Sequence, residues 1–322
     1  MGGDGGKIRC WEVEDGKEVG SSIDTGCIIW DIAASQDGKW IVAGTLWMVM
    51  VWDAESRRKV IEFEAHDGLI SAVAVSPDAT KIATGSEGYV ACVWSLSTGQ
   101  QLLDLQHDFR AVHTIKFSPN GRLLATGSAN SFWTHSSLRI YDCQNGCLLI
   151  DIQISSESFA WVSNGKQLLV LSLDGNAHCL DVSSGITLSK WLVHGDKPRC
   201  ISLATNDTFI AASANPSVSF WDASTHQQIG SFIHRPVTLK FMAISANYNL
   251  VIGGGEKITL WNLRNILPSP YIDDHVSGSA SQPRPAHNHF LDCNRKCAKP
   301  YLKDVAKRHG NFCVLQTSFQ VC

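Results

Sequence analysis

The sequence predicts an all-β fold, and three observations carry that prediction. First, one landmark, a large or aromatic residue followed by Asp or another polar residue, recurs at Trp11, Trp52, Trp94, Tyr141, Leu180, Trp221 and Trp261, with gaps of 41, 42, 47, 39, 41 and 40 residues. A period of this length belongs to four-stranded propeller blades. Second, turn cues precede each landmark after the first: Asp37-Gly38, Asp78-Ala79, Asn120-Gly121, Asn164-Gly165, Asn206-Asp207 and Asn247-Tyr248. Asp, Asn and Gly supply Asx-turns and positive φ at such positions. Third, the runs between turns are short and β-branched or aliphatic, and no stretch shows a helical period. Together they predict a β-propeller of four-stranded antiparallel blades, seven with one incomplete, with six as the alternative count.

The elements follow in order. "KIRCWEVEDGKEVGSSI" (residues 7–23) supplies only the last two strands of a blade. Six complete units follow. Each opens on a turn such as "SPDA" or "SPNG" and continues through a run such as "KIATGS" or "FIAASA". A second turn leads to a run ending on the landmark, as in "MVMVWD", "SLRIYD" or "SVSFWD". Hairpin cues "STGQ", "QNGC", "SSGI" and "STHQ" then lead to an outer strand. The third-to-fourth gap is long because it holds "ANSFWTHSS" (residues 129–137). The expected organisation is a propeller over 1–267 and a Pro- and Ser-containing linker with a Cys- and His-containing tail over 268–322, little ordered and offering no obvious strands to complete a seventh blade.

Composition narrows the function class. The chain has 322 residues, is 44% hydrophobic and 18% charged, and carries a formal net charge of −3. That balance suits a folded globular chain and gives no pull toward nucleic acid or an anionic membrane. "WIVAGTLWMVMVW" (residues 40–52) is the longest uncharged apolar run. It is shorter than the roughly 20 residues a membrane helix needs. The N-terminal stretch has no apolar signal region, and Gly6 stands where a myristoylation motif wants Ser or Thr. Eleven cysteines in such a chain are expected to be reduced thiols, which points to the cytoplasm or nucleus.

Repeats ending in "VWD", "FWD" or "LWN" after "SPDA" or "SPNG" and "ATGS", over about Lys7 to Pro268, resemble the WD40-repeat β-propeller family, and the overall wording is similar to divergent fungal members. The resemblance implies a buried tetrad of His, Ser or Thr, Trp and Asp in each blade. Here it is eroded. The second unit matches His66, Thr84 and Trp94 but has Gly88 in the Asp position. The fourth has Asp174 in its turn but Leu180 in place of Trp. All four matching residues are expected to be structural. The resemblance also implies a partner-binding rim. Transferred unit by unit, its contact positions fall on Trp30, Ser71, His113, Glu157, Arg199 and Lys240, and the neighbouring turns add Trp47, Glu87, Phe132 and Trp133. Aromatic and Arg side chains at such a place are the usual anchors.

No nucleophile-elbow, P-loop, dinucleotide or zincin motif occurs. Cys92, Cys143, Cys179 and Cys200 lie in or beside strands and read as small buried hydrophobes. In the tail, Cys293, Cys297, His309 and Cys313 approach zinc-finger spacing. The loop is one residue short, and Lys307 stands where an apolar residue is usual, so incidental cysteines are the preferred reading. The expected function is a non-catalytic scaffold that binds proteins or peptides, with no cofactor and no small-molecule ligand. A ligand-sensing propeller of a larger fungal NTPase receptor is the alternative, and a propeller enzyme is less favoured.

Overall fold

A computed structural model describes residues 6–12, 16–107, 111–129, 136–194, 198–214, 216–234, 241–245, 247–254, 257–272, 290–292, 307–308 and 311–317. The chain opens with β1 (Lys7–Glu12) and β2 (Ile23–Asp24). Blade 1 follows as β3 (Asp31–Ala34), β4 (Trp40–Gly44), β5 (Met48–Asp53) and β6 (Lys59–Glu64). Blade 2 comprises β7 (Ile70–Val75), β8 (Lys81–Ser86), β9 (Val90–Ser95) and β10 (Gln101–Gln106). Blade 3 is built from β11 (Ala111–Phe117), β12 (Leu123–Ala129), β13 (Ser136–Asp142) and β14 (Leu148–Ile152). Blade 4 holds β15 (Ser156–Trp161), β16 (Gln167–Ser172), β17 (Asn176–Asp181) and β18 (Thr187–Leu192). In blade 5 these are β19 (Pro198–Leu203), β20 (Phe209–Ala214), β21 (Ser217–Asp222) and β22 (Gln228–His234). Blade 6 has β23 (Phe241–Ile244), β24 (Asn249–Gly254), β25 (Lys257–Asn262) and β26 (Phe290–Asp292).

The seventh sheet joins both ends of the chain in the order β2-β1-β28-β27, with β27 at Lys307–Arg308 and β28 at Asn311–Thr317. Cys10 pairs with Leu315 and Trp11 with Val314. Strands within 268–322 thus enter two of the sheets, past the expected division at residue 267. Packing also extends past that residue. Leu267 and Ile272 are buried in the core between blades 5 and 6, with Tyr271 against it. The physical reason is that β1 presents an unpaired backbone edge, and "NFCVLQT" supplies a strand to cover it.

The central strands read as continuous apolar runs because both their faces are covered. In β16, Leu168 and Val170 enter the core shared with blade 3, while Leu169 and Leu171 enter the core shared with blade 5. In β8, Ile82 faces blade 1 and Ala83 faces blade 3. A side-chain period of two therefore feeds two different cores. The core of blade 1 and the closing sheet, around Ile8, Trp11, Ile32 and Trp52, also receives Leu260 of blade 6, so the circle meets itself. The innermost strands are bonded across blades. Asp31 Oδ2 accepts from the Val73 N–H at 2.7 Å, the Ser71 hydroxyl donates to the Val112 carbonyl, and the Ser202 hydroxyl oxygen accepts from the Ile244 N–H at 3.2 Å.

The turns away from the rim repeat one device. Ser76 Oγ donates to Asp78 and accepts from the Lys81 N–H at 2.9 Å, and Ser35/Trp40 and Ser118/Leu123 do the same. With or without that serine, the turn at this position has a left-handed residue in all six blades: Gly38, Ala79, Gly121, Gly165, Asp207 and Tyr248. The hairpins before the outer strands need another, at Arg57, Gly99, Gly146, Gly185 and His226. Four of the non-glycine residues reach back to the preceding blade. Arg57 donates to the Val19 and Ser21 carbonyls, and Asp207 accepts from the Ser163 N–H and hydroxyl. His226 stacks on Trp191 with centroids 3.9 Å apart, and Tyr248 packs on Phe209. Left-handed strain of about 1–2 kcal/mol is thus offset by contacts between blades. Ala79 carries only a methyl group, with neither a polar nor an aromatic group to make such a bridge. Ala79→Gly is expected to raise stability by about 0.5–1 kcal/mol, and Asp207→Gly to lower it by a similar amount. Urea unfolding midpoints of the two variants would show opposite signs; two increases would refute the bridging role.

Candidate functional site

The rim is the end of the ring at which the innermost strands β3, β7, β11, β15, β19 and β23 begin. Antiparallel pairing brings the turns between second and third strands to this end. A repeated backbone bond fastens each described turn to the segment entering the next blade. The Trp47 carbonyl accepts from the Ala65 and His66 N–H groups at 2.8 and 3.2 Å. Tyr89 O accepts from the His107 N–H at 2.9 Å, and Gly175 O from the Val193 and His194 N–H groups at 2.9 and 3.2 Å. Blades 1 and 2 are further joined by Ile70 N–H to Thr45 O at 3.1 Å and Glu87 N–H to Leu69 O at 2.9 Å. The backbone at Trp47 and Tyr89 is therefore fixed while the side chains extend outward. Leu46, Trp47 and Tyr89 are 42%, 50% and 41% exposed. Tyr89 adopts φ +70°, where blade 4 uses Gly175 at φ +85°.

The positions nominated from sequence divide. Trp47 and Glu87 lie exposed on neighbouring turns of this rim. Trp30 is half-buried against the core of the closing sheet, with its N–H on the Gly44 carbonyl at 2.8 Å. The Ser71 hydroxyl is committed to the Val112 carbonyl, with Gly85 O at 3.3 Å. His113 is half-buried, and burial pushes its pKa below the usual histidine value. Arg199 and Glu157 belong to β19 and β15 by their backbones. Phe132, Trp133 and Lys240 lie outside the described residues, as do Cys293, Cys297 and His309 of the tail. Cys313 belongs to β28. Sequence reading passed over Leu46 and Tyr89. The signal that would have found Tyr89 is a bulky residue at a turn position that blade 4 fills with glycine.

Beneath the rim, histidines anchor the same connecting segments. His66 Nε2 lies 2.7 Å from Thr84 Oγ1, which accepts the Trp94 indole N–H at 2.8 Å. In blade 3, His107 Nε2 meets Thr126 Oγ1 at 3.3 Å and the Tyr141 hydroxyl at 3.2 Å. In blade 5, Ala212 occupies the position of Thr84, and its cross-strand partner Ser219 supplies the hydroxyl instead. Ser219 Oγ accepts the Trp221 indole N–H at 2.8 Å and lies 3.0 Å from His194 Nε2. Asp174 accepts from the Asn176 N–H and pairs with Lys190 at 3.1 Å. Although burial raises its carboxyl pKa, these partners hold it down to about 2.

Burial lowers the His66 pKa to about 4. Between that value and about 6.5 the unfolded chain binds a proton that the folded chain refuses, so stability is expected to fall as pH drops through this window, by on the order of 3 kcal/mol. His113 and His178, also lowered by burial, act in the same direction. Carboxylates with lowered pKa values begin to matter only below about pH 4. Urea midpoints measured at several pH values across this window would show the loss; a flat profile would contradict it.

The remaining chemistry is quiet. Burial pushes the Cys92 and Cys143 thiols up to about 12, which leaves little thiolate for nucleophilic work. Among the described residues, no three His, Cys, Asp or Glu side chains are grouped to hold a metal ion, and no helix is long and apolar enough to cross a membrane.

The family described as WD domain, G-beta repeat matches residues 57–95 and 99–142. The serine-threonine kinase receptor-associated protein of Gallus gallus is 25% identical over 71% of this chain and 62% of its own length. The small ribosomal subunit protein RACK1y of Oryza sativa subsp. japonica is 28% identical over 42% of this chain and 41% of its own length. The chain thus spans less than two thirds of these relatives. The β-propeller domain of Cps50 (Swd1) from Myceliophteria thermophila superposes with a TM-score of 0.64 at 13% identity, over 74% of this chain and 84% of that one. Two stretches of the chain thus match WD repeats, and the seven four-stranded sheets share the fold of a β-propeller.

Proposed function

We propose that this chain is a non-catalytic scaffold that holds partner proteins or peptides on the rim of its propeller. The observation that carries the reading is the pair of exposed aromatic residues, Trp47 and Tyr89, at equivalent turns of adjacent blades with their backbones fixed. Rigid aromatic anchors lose little entropy on binding. Trp30, Glu87, His113, Phe132, Trp133, Arg199 and Lys240 complete the proposed contact set, while Ser71 serves the contact between blades. The names of the relatives, one receptor-associated and one a ribosomal subunit protein, support association as the role. We place the protein in the cytoplasm or nucleus, a reading supported by Cys92, Cys143 and Cys147, which are thiols outside any disulfide.

Affinity capture with the wild type and with a Trp47→Ala, Arg199→Ala double variant tests this reading. Loss of specific partners from the variant is expected; equal recovery of every partner would exclude the rim.

A further inference from the structure

The rim is not uniform, and its uneven chemistry narrows the partner. On blades 1 and 2 it presents Leu46, Trp47 and Tyr89 as apolar surface, with the exposed acids Glu64, Asp67 and Glu87 around them. Backbone bonds tie these groups into one surface. Glu64 pairs across the sheet with Met48, next to Trp47. Asp67 lies in the connection that runs from the Trp47 carbonyl to Ile70, and Glu87 donates its N–H to Leu69 in that same connection. Among the described residues at this end of blades 1 and 2 there is no Lys or Arg. The corresponding turn of blade 4 offers Asp174 and Gly175 instead of an aromatic residue.

We propose that this sector docks a partner-protein segment that places Lys or Arg side chains beside an aliphatic or aromatic anchor. The inference rests on reading the ring as a protein-binding scaffold. Charge complementarity selects the partner, because three like charges with no Lys or Arg beside them among the described residues attract a basic segment and repel phosphate backbones and anionic lipid headgroups. The aromatic faces suit the same side chains. A guanidinium or ammonium group stacks on Trp or Tyr while pairing with a neighbouring carboxylate. The anchor residue covers Leu46 and excludes water from the pairs around it.

The test is selection of a random short-peptide phage library on the purified full chain. Selected peptides are then synthesised with a fluorophore and titrated by anisotropy. Expected winners carry Lys or Arg within a few residues of a Leu, Phe or Trp, and their binding weakens with added salt. Trp47→Ala and Glu87→Lys should each weaken binding by about tenfold or more. Both side chains are exposed, so thermal unfolding should confirm that the variants fold. Winners without a basic excess, or winners that bind both variants as tightly as wild type, overturn the proposal and leave the wider scaffold reading intact. Recovery of no peptide counts against the proposal and, if affinity capture also yields no partner, against the scaffold reading as well.

Discussion

Phe209→Ala is expected to lower the unfolding free energy by about 3–5 kcal/mol. Phe209 is fully buried at the junction of blades 5 and 6. Its ring meets Phe220 edge-on at 6.2 Å, Tyr271 edge-on at 6.3 Å and Tyr248 in a stack at 6.5 Å. Tyr271 is further held by its hydroxyl on Asp222 at 2.8 Å, and Tyr248 by the Arg264 guanidinium 5.2 Å from its centroid. Partners fixed in this way cannot collapse into the space a truncated side chain leaves, so the cavity term adds to the lost burial. Phe209→Leu fills most of that space and should cost less than about 1.5 kcal/mol. Urea unfolding followed by tryptophan fluorescence distinguishes the two. Similar losses from both would mean that this junction adjusts freely and does not bind the blades.

Gly175→Ala is the second large effect, about 3 kcal/mol or more. Gly175 has φ +85°, and an added Cβ would lie 2.0 Å from the His194 carbonyl oxygen. That oxygen belongs to backbone and cannot swing aside as a side chain would. The surrounding bonds also resist, because the Gly175 carbonyl receives both the Val193 and His194 N–H groups. Displacing His194 would in turn disturb its contact with Ser219, whose hydroxyl also accepts the Trp221 indole N–H. Gly26→Ala separates the two causes. Gly26 has φ +69° with open space around its missing side chain, so it should cost only about 1 kcal/mol. Equal losses would show that backbone conformation alone decides the outcome and that the clash is relieved.

Most of the fold was legible because its signals are local. Asp78, Asn120 and Asn164 mark turns through hydrogen bonds to backbone two residues on, and such bonds depend on nothing distant. The landmark residues were legible because each closes a central strand. What escaped was non-local. The hydroxyl that serves His194 moved from the position of Ala212 to Ser219, its neighbour on the next strand, which only pairing reveals. The role of His107 was hidden because its partner at the landmark is Tyr141 and not Trp. The closing strand β28 carries no landmark, so nothing in its own sequence announced that it pairs with β1. At the rim, Trp47 drew attention as an aromatic residue in a turn, whereas Tyr89 resembled a strand residue. Its exposure follows from the left-handed backbone and from the carbonyl bond to His107.

Amide hydrogen exchange on the full chain, alone and saturated with a captured partner or selected peptide, tests most directly where this ring binds. Slowed exchange is predicted in the turns around residues 44–48 and 86–90 and in the connection over 64–70. Protection confined to the opposite hairpins around 53–59 and 95–101, or to the outer strands β14 and β18, would contradict the rim as the binding face.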